Sequence, residues 1–347
     1  MQTAKAGTEA SEQVLGALES KQIIKLREED TDRRTVLFDD WTGEGENEMV
    51  LFLKPELVVL SEDALGKILA MVFEALRRFR FRVESVIFLP SMYLKKFSIM
   101  DEHYGVINKL ARAATSSMSE AARNRFKSVY GADVEGSDVV GGFEFLDRFP
   151  KINAESLDRI WGAERSEKLA PGTYCRRLNF DGTDIFLING FHPSQLLHYT
   201  EPLRGILVIV LRSDTRWSIA RKSLVGATRP EDAEEGSLRS LLLARREELG
   251  ISEISQAFNG VHLSAGPVEA LTELRRFVSD LSTGRGQLPT EEFSFGKQLI
   301  EAFGDEKTEY LLSNPNADVK GKNVSVFDLS EELDSGEAVR RLREIDF

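Results

Sequence analysis

Apolar positions along this chain change period several times, and each change marks an element. Met49 to Leu53 is a short continuous apolar run stopped by Lys54-Pro55, which predicts a central, buried strand. From Ser61, a plausible N-cap, the period becomes helical, with Leu65, Ile68, Leu69, Val72, Phe73 and Leu76 recurring at threes and fours. After the basic stretch Arg77-Arg78-Phe79-Arg80-Phe81-Arg82, Val83 to Leu89 reads as a second strand and Met92 to about Ala114 as one or two helices. Cations gathered at a helix C-terminus explain the basic stretch more simply than a nucleic-acid face does.

Between about 105 and 185 the patterning loosens, then ends in a clear hairpin. Thr173 to Phe180 and Thr183 to Ile188 are joined by Asp181-Gly182, which supplies the positive φ angles of a tight turn. The Asp181/Asp184 pair is read as turn chemistry, since a calcium loop needs several more oxygen ligands. Gly205 to Leu211 predicts another strand, Trp217 to Ser223 a short helix, Gly236 to Leu249 a helical segment and Phe258 to Leu263 a brief strand. Pro267 opens a helix whose inner face is Val268, Leu271, Leu274 and Phe277, and a last helix covers Glu332 to Arg343.

Length changes the picture: 347 residues exceed the roughly 150 of an ordinary domain, so the chain holds two domains or one with large additions. A net charge of −12 argues against a protein built to neutralise a nucleic-acid backbone, while leaving room for a local phosphate site. The single cysteine, Cys175, cannot form an intramolecular disulfide, and Met1 to Ser20 has neither a basic nor an apolar targeting region. With no apolar run near about 18 residues, the expectation is a cytoplasmic protein with no membrane span. The phosphate loop Gly-x4-Gly-Lys-Ser/Thr, the dinucleotide fingerprint and the Gly-x-Ser-x-Gly elbow are all missing from the sequence.

What remains is a distributed set of phosphate-compatible groups: Lys54, Arg221, Lys222, Thr228, Arg239 and His262, the last between a strand and a helix N-terminus. A histidine can attack a γ-phosphate if its attacking nitrogen is neutral and a partner fixes the other. Glu273, on the following helix, is a candidate partner, against the alternative of a solvated helix carboxylate.

Several ordered motifs then line up: Leu53-Lys54-Pro55, Glu102-His103-Tyr104, Gly226-Ala227-Thr228-Arg229-Pro230, Glu235-Gly236-Ser237-Leu238-Arg239 and Asn259-Gly260-Val261-His262-Leu263-Ser264. Thr228 to Arg239 and His262 to Glu273 are each eleven positions apart. In these motifs and spacings the chain resembles the nucleoside diphosphate kinases, as a divergent member with a large internal insertion and extensions at both ends.

The resemblance implies that His262 is the phosphorylated nucleophile, that Glu273 holds its other ring nitrogen and that Ser264 hydrogen-bonds nearby. Lys54, Thr228 and Arg239 would grip the phosphates, Tyr104 would support Lys54 or a phosphate, and Asn259 would meet the ribose. Phe191 or His192 would stack on the base. A second phosphate-binding arginine is expected where the chain has Lys222, with Arg221 beside it. Leu263 stands where the family has a glycine. Magnesium would be bound through the nucleotide phosphates, with nucleoside di- and triphosphates as partners.

The implied fold is α+β: a ferredoxin-like antiparallel four-stranded sheet with helices on one face. Residues 48–104 and 187–284 would form this core, interrupted by an insertion at 105–186, preceded by an arm at 1–47 and followed by an extension at 285–347. Family members are usually oligomeric, and the insertion or tail could serve a protein partner. Two other readings stay open: a nucleotide-binding regulatory module with little transfer, and a nucleoside triphosphate hydrolase.

Overall fold

A computed structural model describes residues 18 to 345 apart from Glu44, Asp181 and Lys320. The chain divides into two compact units, one formed by the residues up to Phe97 together with those from Pro202 onward, the other by Ser98–Glu201. The second unit is wider than the insertion expected at 105–186. Both units combine helices with sheets that are mainly antiparallel, an α+β architecture.

In chain order, the first unit opens with α1 (Ser20–Glu29), β1 (Thr35–Asp39), β2 (Asn47–Leu53), α2 (Glu62–Arg78), β3 (Arg82–Pro90) and α3 (Ser91–Lys96). The second unit follows, with α4 (Gly105–Arg112), α5 (Glu120–Tyr130), β4 (Val139–Gly141), α6 (Ala154–Gly162), β5 (Glu167–Ala170), β6 (Thr173–Phe180), β7 (Thr183–Ile188) and α7 (His192–Thr200). The chain then returns to the first unit through β8 (Gly205–Ser213) and α8 (Trp217–Ile219), which runs on as a wider π turn over Ala220–Val225. After α9 (Leu238–Ala244), β9 (Val261–Leu263) and α10 (Pro267–Val278) come α11 (Ser294–Phe303) and α12 (Asp305–Leu312). A β10 (Asn316–Val319) and β11 (Lys322–Ser325) hairpin, α13 (Val326–Ser330) and α14 (Ser335–Arg343) complete it.

The sheet of the first unit has the order β1-β3-β8-β2-β9, with every neighbouring pair antiparallel. α2 forms as its sequence dictates: Ser61 Oγ accepts the Ala64 N–H at 3.3 Å, acids fill the first turn and Arg77 and Arg78 the last. Its stripe of Leu65, Ile68, Leu69, Val72, Phe73 and Leu76 shares one core with Met49, Leu51 and Leu53 of β2. Strand alternation sends Phe52 to the opposite face. There it meets Phe277 of α10, with ring centroids 5.5 Å apart. Helices therefore cover both faces of the sheet, not one as expected, which is why β2 reads as an unbroken apolar run.

The N-terminal arm and the C-terminal extension were expected to be additions to a four-stranded core, yet both are built into this unit. α1 buries Ile23 in the main core, and β1 adds a fifth strand at the β3 edge; the arm's residues 1–17 lie outside the described residues. Buried Arg212 of β8 pairs with Glu84 of β3 at 3.0 Å and with Glu48 of β2. Oε2 of Glu48 accepts the Phe295 N–H of α11 at 2.9 Å, and Oε1 of Glu84 accepts the N–H groups of Thr42 and Gly43. One charged cluster thus ties three strands to Thr42 and Gly43 of the N-terminal arm and to Phe295 of the C-terminal extension.

The second unit has a sheet of order β4-β7-β6-β5, in which β4 and β7 are parallel. β6 and β7 pair antiparallel from Cys175↔Ile188 to Phe180↔Thr183, the expected hairpin, although Asp181 of its turn lies outside the described residues. Cys175 is buried, and burial pushes its thiol up to about 12.

Candidate functional site

β9 is short and lies at a sheet edge, where it pairs with β2 so that His262 faces Phe52. The two rings stack with centroids 4.4 Å apart at 17°, which sets the plane of the imidazole. The chain then passes Ser264, Ala265 and Gly266 into α10, with Pro267 at its first position, where a missing N–H costs nothing. Two turns along, Glu273 is turned back toward β9. Its Oε1 lies 2.8 Å from His262 Nε2 and its Oε2 2.6 Å from Ser264 Oγ.

Ser264 is in turn held by the central strand. Val50 N–H donates to Ser264 Oγ at 3.0 Å, and Val50 O lies 3.2 Å from that hydroxyl. With one hydrogen to give, Ser264 donates to an ionised Glu273, or turns to Val50 O when Glu273 itself carries a proton. Nε2–H of His262 donates to Oε1 in both arrangements, which makes Nδ1 the nitrogen with the lone pair.

The electrostatics are those of a largely buried site with positive neighbours, in which the His262 side chain keeps 19% of its surface exposed. Burial, then Lys54, Arg239 and Arg221, hold His262 well below its ordinary range, so the imidazole is neutral at neutral pH. Burial pushes Glu273, only 1% exposed, up to about 8, against the opposing pull of Ser264, Arg276 and Arg221. Glu269, one turn earlier, rises to about 7 through burial and the charge of Glu273, while its Oε2 accepts the Ala265 N–H at 2.8 Å.

Lys54 is buried at the end of β2, its Nζ 3.3 Å from Ala257 O; burial lowers it to about 8, with Arg239 adding to the effect. Arg239 donates to Gly226 O at 2.8 Å and to Val261 O at 2.9 Å, bridging the 226 turn and β9. Burial brings it down to about 10. Gly226, at φ +93°, makes the turn possible: a Cβ there would fall 2.4 Å from Ser237 Oγ.

Arg221, Lys222, Gly226, Thr228, Arg239 and Leu263 line one cavity of about 660 Å³, together with Asp232, Glu234 and Glu332. Four of the predicted phosphate-binding residues therefore share a wall with the neighbour of His262. Asn259 differs from expectation. It is 2% exposed, and its Nδ2 donates to Thr228 O at 3.0 Å and Gln256 O at 3.2 Å, so it holds the Thr228 loop in place.

Tyr104, Phe191 and His192 belong to the second unit. Tyr104 shares a hydroxyl–hydroxyl bond of 3.1 Å with Tyr199, and Phe191 packs edgewise on Tyr174 and against Trp161. His192 is fully buried, with its ring nitrogens 3.2 Å from Gln195 Oε1 and Asn108 Oδ1. As a base-stacking residue it is corrected to a core histidine, because no ring face is left for a base.

Sequence reading missed Glu269, whose signal was its place four residues before Glu273 on one helix face. It also missed Glu331 and Glu332, which meet Arg221 from the C-terminal extension and have no local signal. No helix among the described residues is long and apolar enough to cross a membrane. Set against family models and against curated proteins, the chain matches none.

Proposed function

We propose that the protein transfers a γ-phosphate from a nucleoside triphosphate to a nucleoside diphosphate through a phosphohistidine at His262. The observation that carries this reading is the hydrogen-bonded series His262–Glu273–Ser264–Val50, which leaves a neutral imidazole beside Lys54, Arg239 and Arg221. The strand order β3-β8-β2-β9, with α2 joining β2 to β3 and helices joining β8 to β9, supports a ferredoxin-like core of the nucleoside diphosphate kinase kind.

In this mechanism the Nδ1 lone pair attacks the γ-phosphorus as the bond to the bridging oxygen breaks, and that oxygen leaves with the diphosphate. Nε2–H keeps its bond to Glu273 throughout, so the ring does not turn as it gains positive charge. An acceptor diphosphate oxygen then attacks the phosphorus, the N–P bond breaks and the imidazole is restored. Arg221, Lys222, Thr228 and Arg239 hold the phosphate chain, and Lys54 offsets the charge that develops on it.

The donor set fits a polyphosphate carried with magnesium, because the cavity wall mixes these cations with Asp232 and Glu234, which would hold the hydration shell of the ion. The ion supplies neutralisation of phosphate charge. Incubation with γ-labelled ATP tests the reading: an acid-labile phosphoenzyme is expected, lost in His262→Ala, and an intact chain that takes up no label overturns it.

A further inference from the structure

The turn Glu331-Glu332 after α13 reaches the cationic wall of the cavity from more than a hundred residues away in sequence. Glu331 Oε1 lies 2.9 Å from an Arg221 terminal nitrogen, and Glu332 Oε1 lies 3.7 Å from Arg221 Nε. Glu332 also lines the cavity. Arg221 is one of the groups that a phosphate chain would use, so a carboxylate already sits where an anionic oxygen would bind.

This turn is held from both sides. Glu332 N–H donates to Ala265 O at 2.9 Å, and Glu332 keeps a left-handed backbone, φ +59°, that a non-glycine residue adopts only where its surroundings impose it. Gly266 lies so close that a Cβ on it would fall 2.3 Å from Ser330 O. On the far side Asp334 accepts the Trp217 N–H at 2.9 Å and an Asn47 amide hydrogen at 3.2 Å. Trp217 begins the helical stretch that carries Arg221, so one short segment both anchors that stretch and neutralises its arginine.

We propose that Glu331 and Glu332 are specificity-determining residues of the phosphate cavity, selecting polyphosphates whose charge a divalent cation has already reduced. An incoming chain displaces Glu331 from Arg221 and then lies beside two carboxylates. The repulsion scales with the charge of the ligand, so a free triphosphate is disfavoured more than its magnesium complex. This inference rests on the phosphate-transfer reading of the same cavity and adds which form of substrate enters it.

Calorimetry on the full chain at low ionic strength tests it, with ATP in EDTA and ATP in excess magnesium as probes. The E331Q/E332Q chain is expected to bind free ATP about tenfold more tightly than the parent, and the magnesium complex about threefold more tightly. In an R221Q background the same pair of substitutions should still strengthen free ATP binding more than binding of the magnesium complex, because the carboxylates repel the ligand directly, whereas a merely structural role of the turn would change both affinities by one common factor. Unchanged affinities, or the same factor for both forms, overturn this inference alone. No ATP binding by any of these chains overturns the phosphate-transfer reading as well.

Discussion

Glu273 Oε1 lies 2.8 Å from His262 Nε2, on the helix that follows the strand bearing the histidine. The carboxyl is fixed by Ser264 before the histidine meets it, so the ring is held through a second residue anchored on the central strand. Glu273→Ala should slow phosphoenzyme formation on the order of 100-fold. Glu273→Gln should slow it only about tenfold, because the amide oxygen still accepts from Nε2. Initial rates of labelling from γ-labelled ATP measure both, and wild-type rates in Glu273→Ala would remove the residue from the mechanism.

The pH profile follows from Lys54 and His262, both lowered by burial, and from Glu273, whose carboxyl is pushed up to about 8 and loses its proton over the same range as Lys54. Lys54 in the free protein loses its proton near pH 8, so kcat/KM for nucleotide should fall as pH rises through about 8. His262 is neutral well below its ordinary range, so the acid limb should lie well below pH 6.5. Lys54→Arg should carry the alkaline limb upward by more than one pH unit. An unmoved limb would assign it to another group.

Arg212 bridges Glu48 and Glu84 with all three side chains buried. Arg212→Met leaves two buried carboxylates without their cation and should cost about 3–5 kcal/mol. Urea unfolding measures the loss. A cost below about 1 kcal/mol would mean that water reaches the cluster.

Asp30 is buried at the end of α1, where it accepts from Ser91 Oγ and from the Met92 and Leu203 N–H groups at 2.8 to 3.0 Å. It joins the segment that leaves β3 to the one that enters β8. Asp30→Ala should destabilise by about 1–3 kcal/mol, since the buried Ser91 hydroxyl and two part-buried backbone N–H groups lose their acceptor. Differential scanning calorimetry reads the shift in Tm, and an unchanged Tm would contradict the clamp.

Elements with a strong local period were legible in the sequence. β2, α2, β3, the β6–β7 hairpin, β8 and α10 lie where apolar spacing, Ser61 or Pro267 placed them. The His262–Glu273 pairing was legible too, because strand, turn and helix lie within a dozen residues of one another. What stayed illegible depends on contacts between distant parts of the chain. α1 carries mostly charge around the buried Ile23, the Arg212 cluster joins three strands, and Glu331 reaches Arg221 across most of the C-terminal half. His192 was offered as a base-stacking residue from the family resemblance alone, whereas its burial is decided by the packing of α7.

The register that sets Pro90 opposite Gly205 also bears on how the chain folds. These strands are neighbours, yet the whole second unit separates them in sequence, so pairing them first would require closing a very long loop. Inside that second unit, the Tyr104 and Tyr199 hydroxyls join residues near its beginning and its end. Once it folds, it turns a long flexible loop into a short, already closed one. With that unit already folded, pairing β3 with β8 would close a far shorter effective loop, so the entropy cost of joining the two strands would fall.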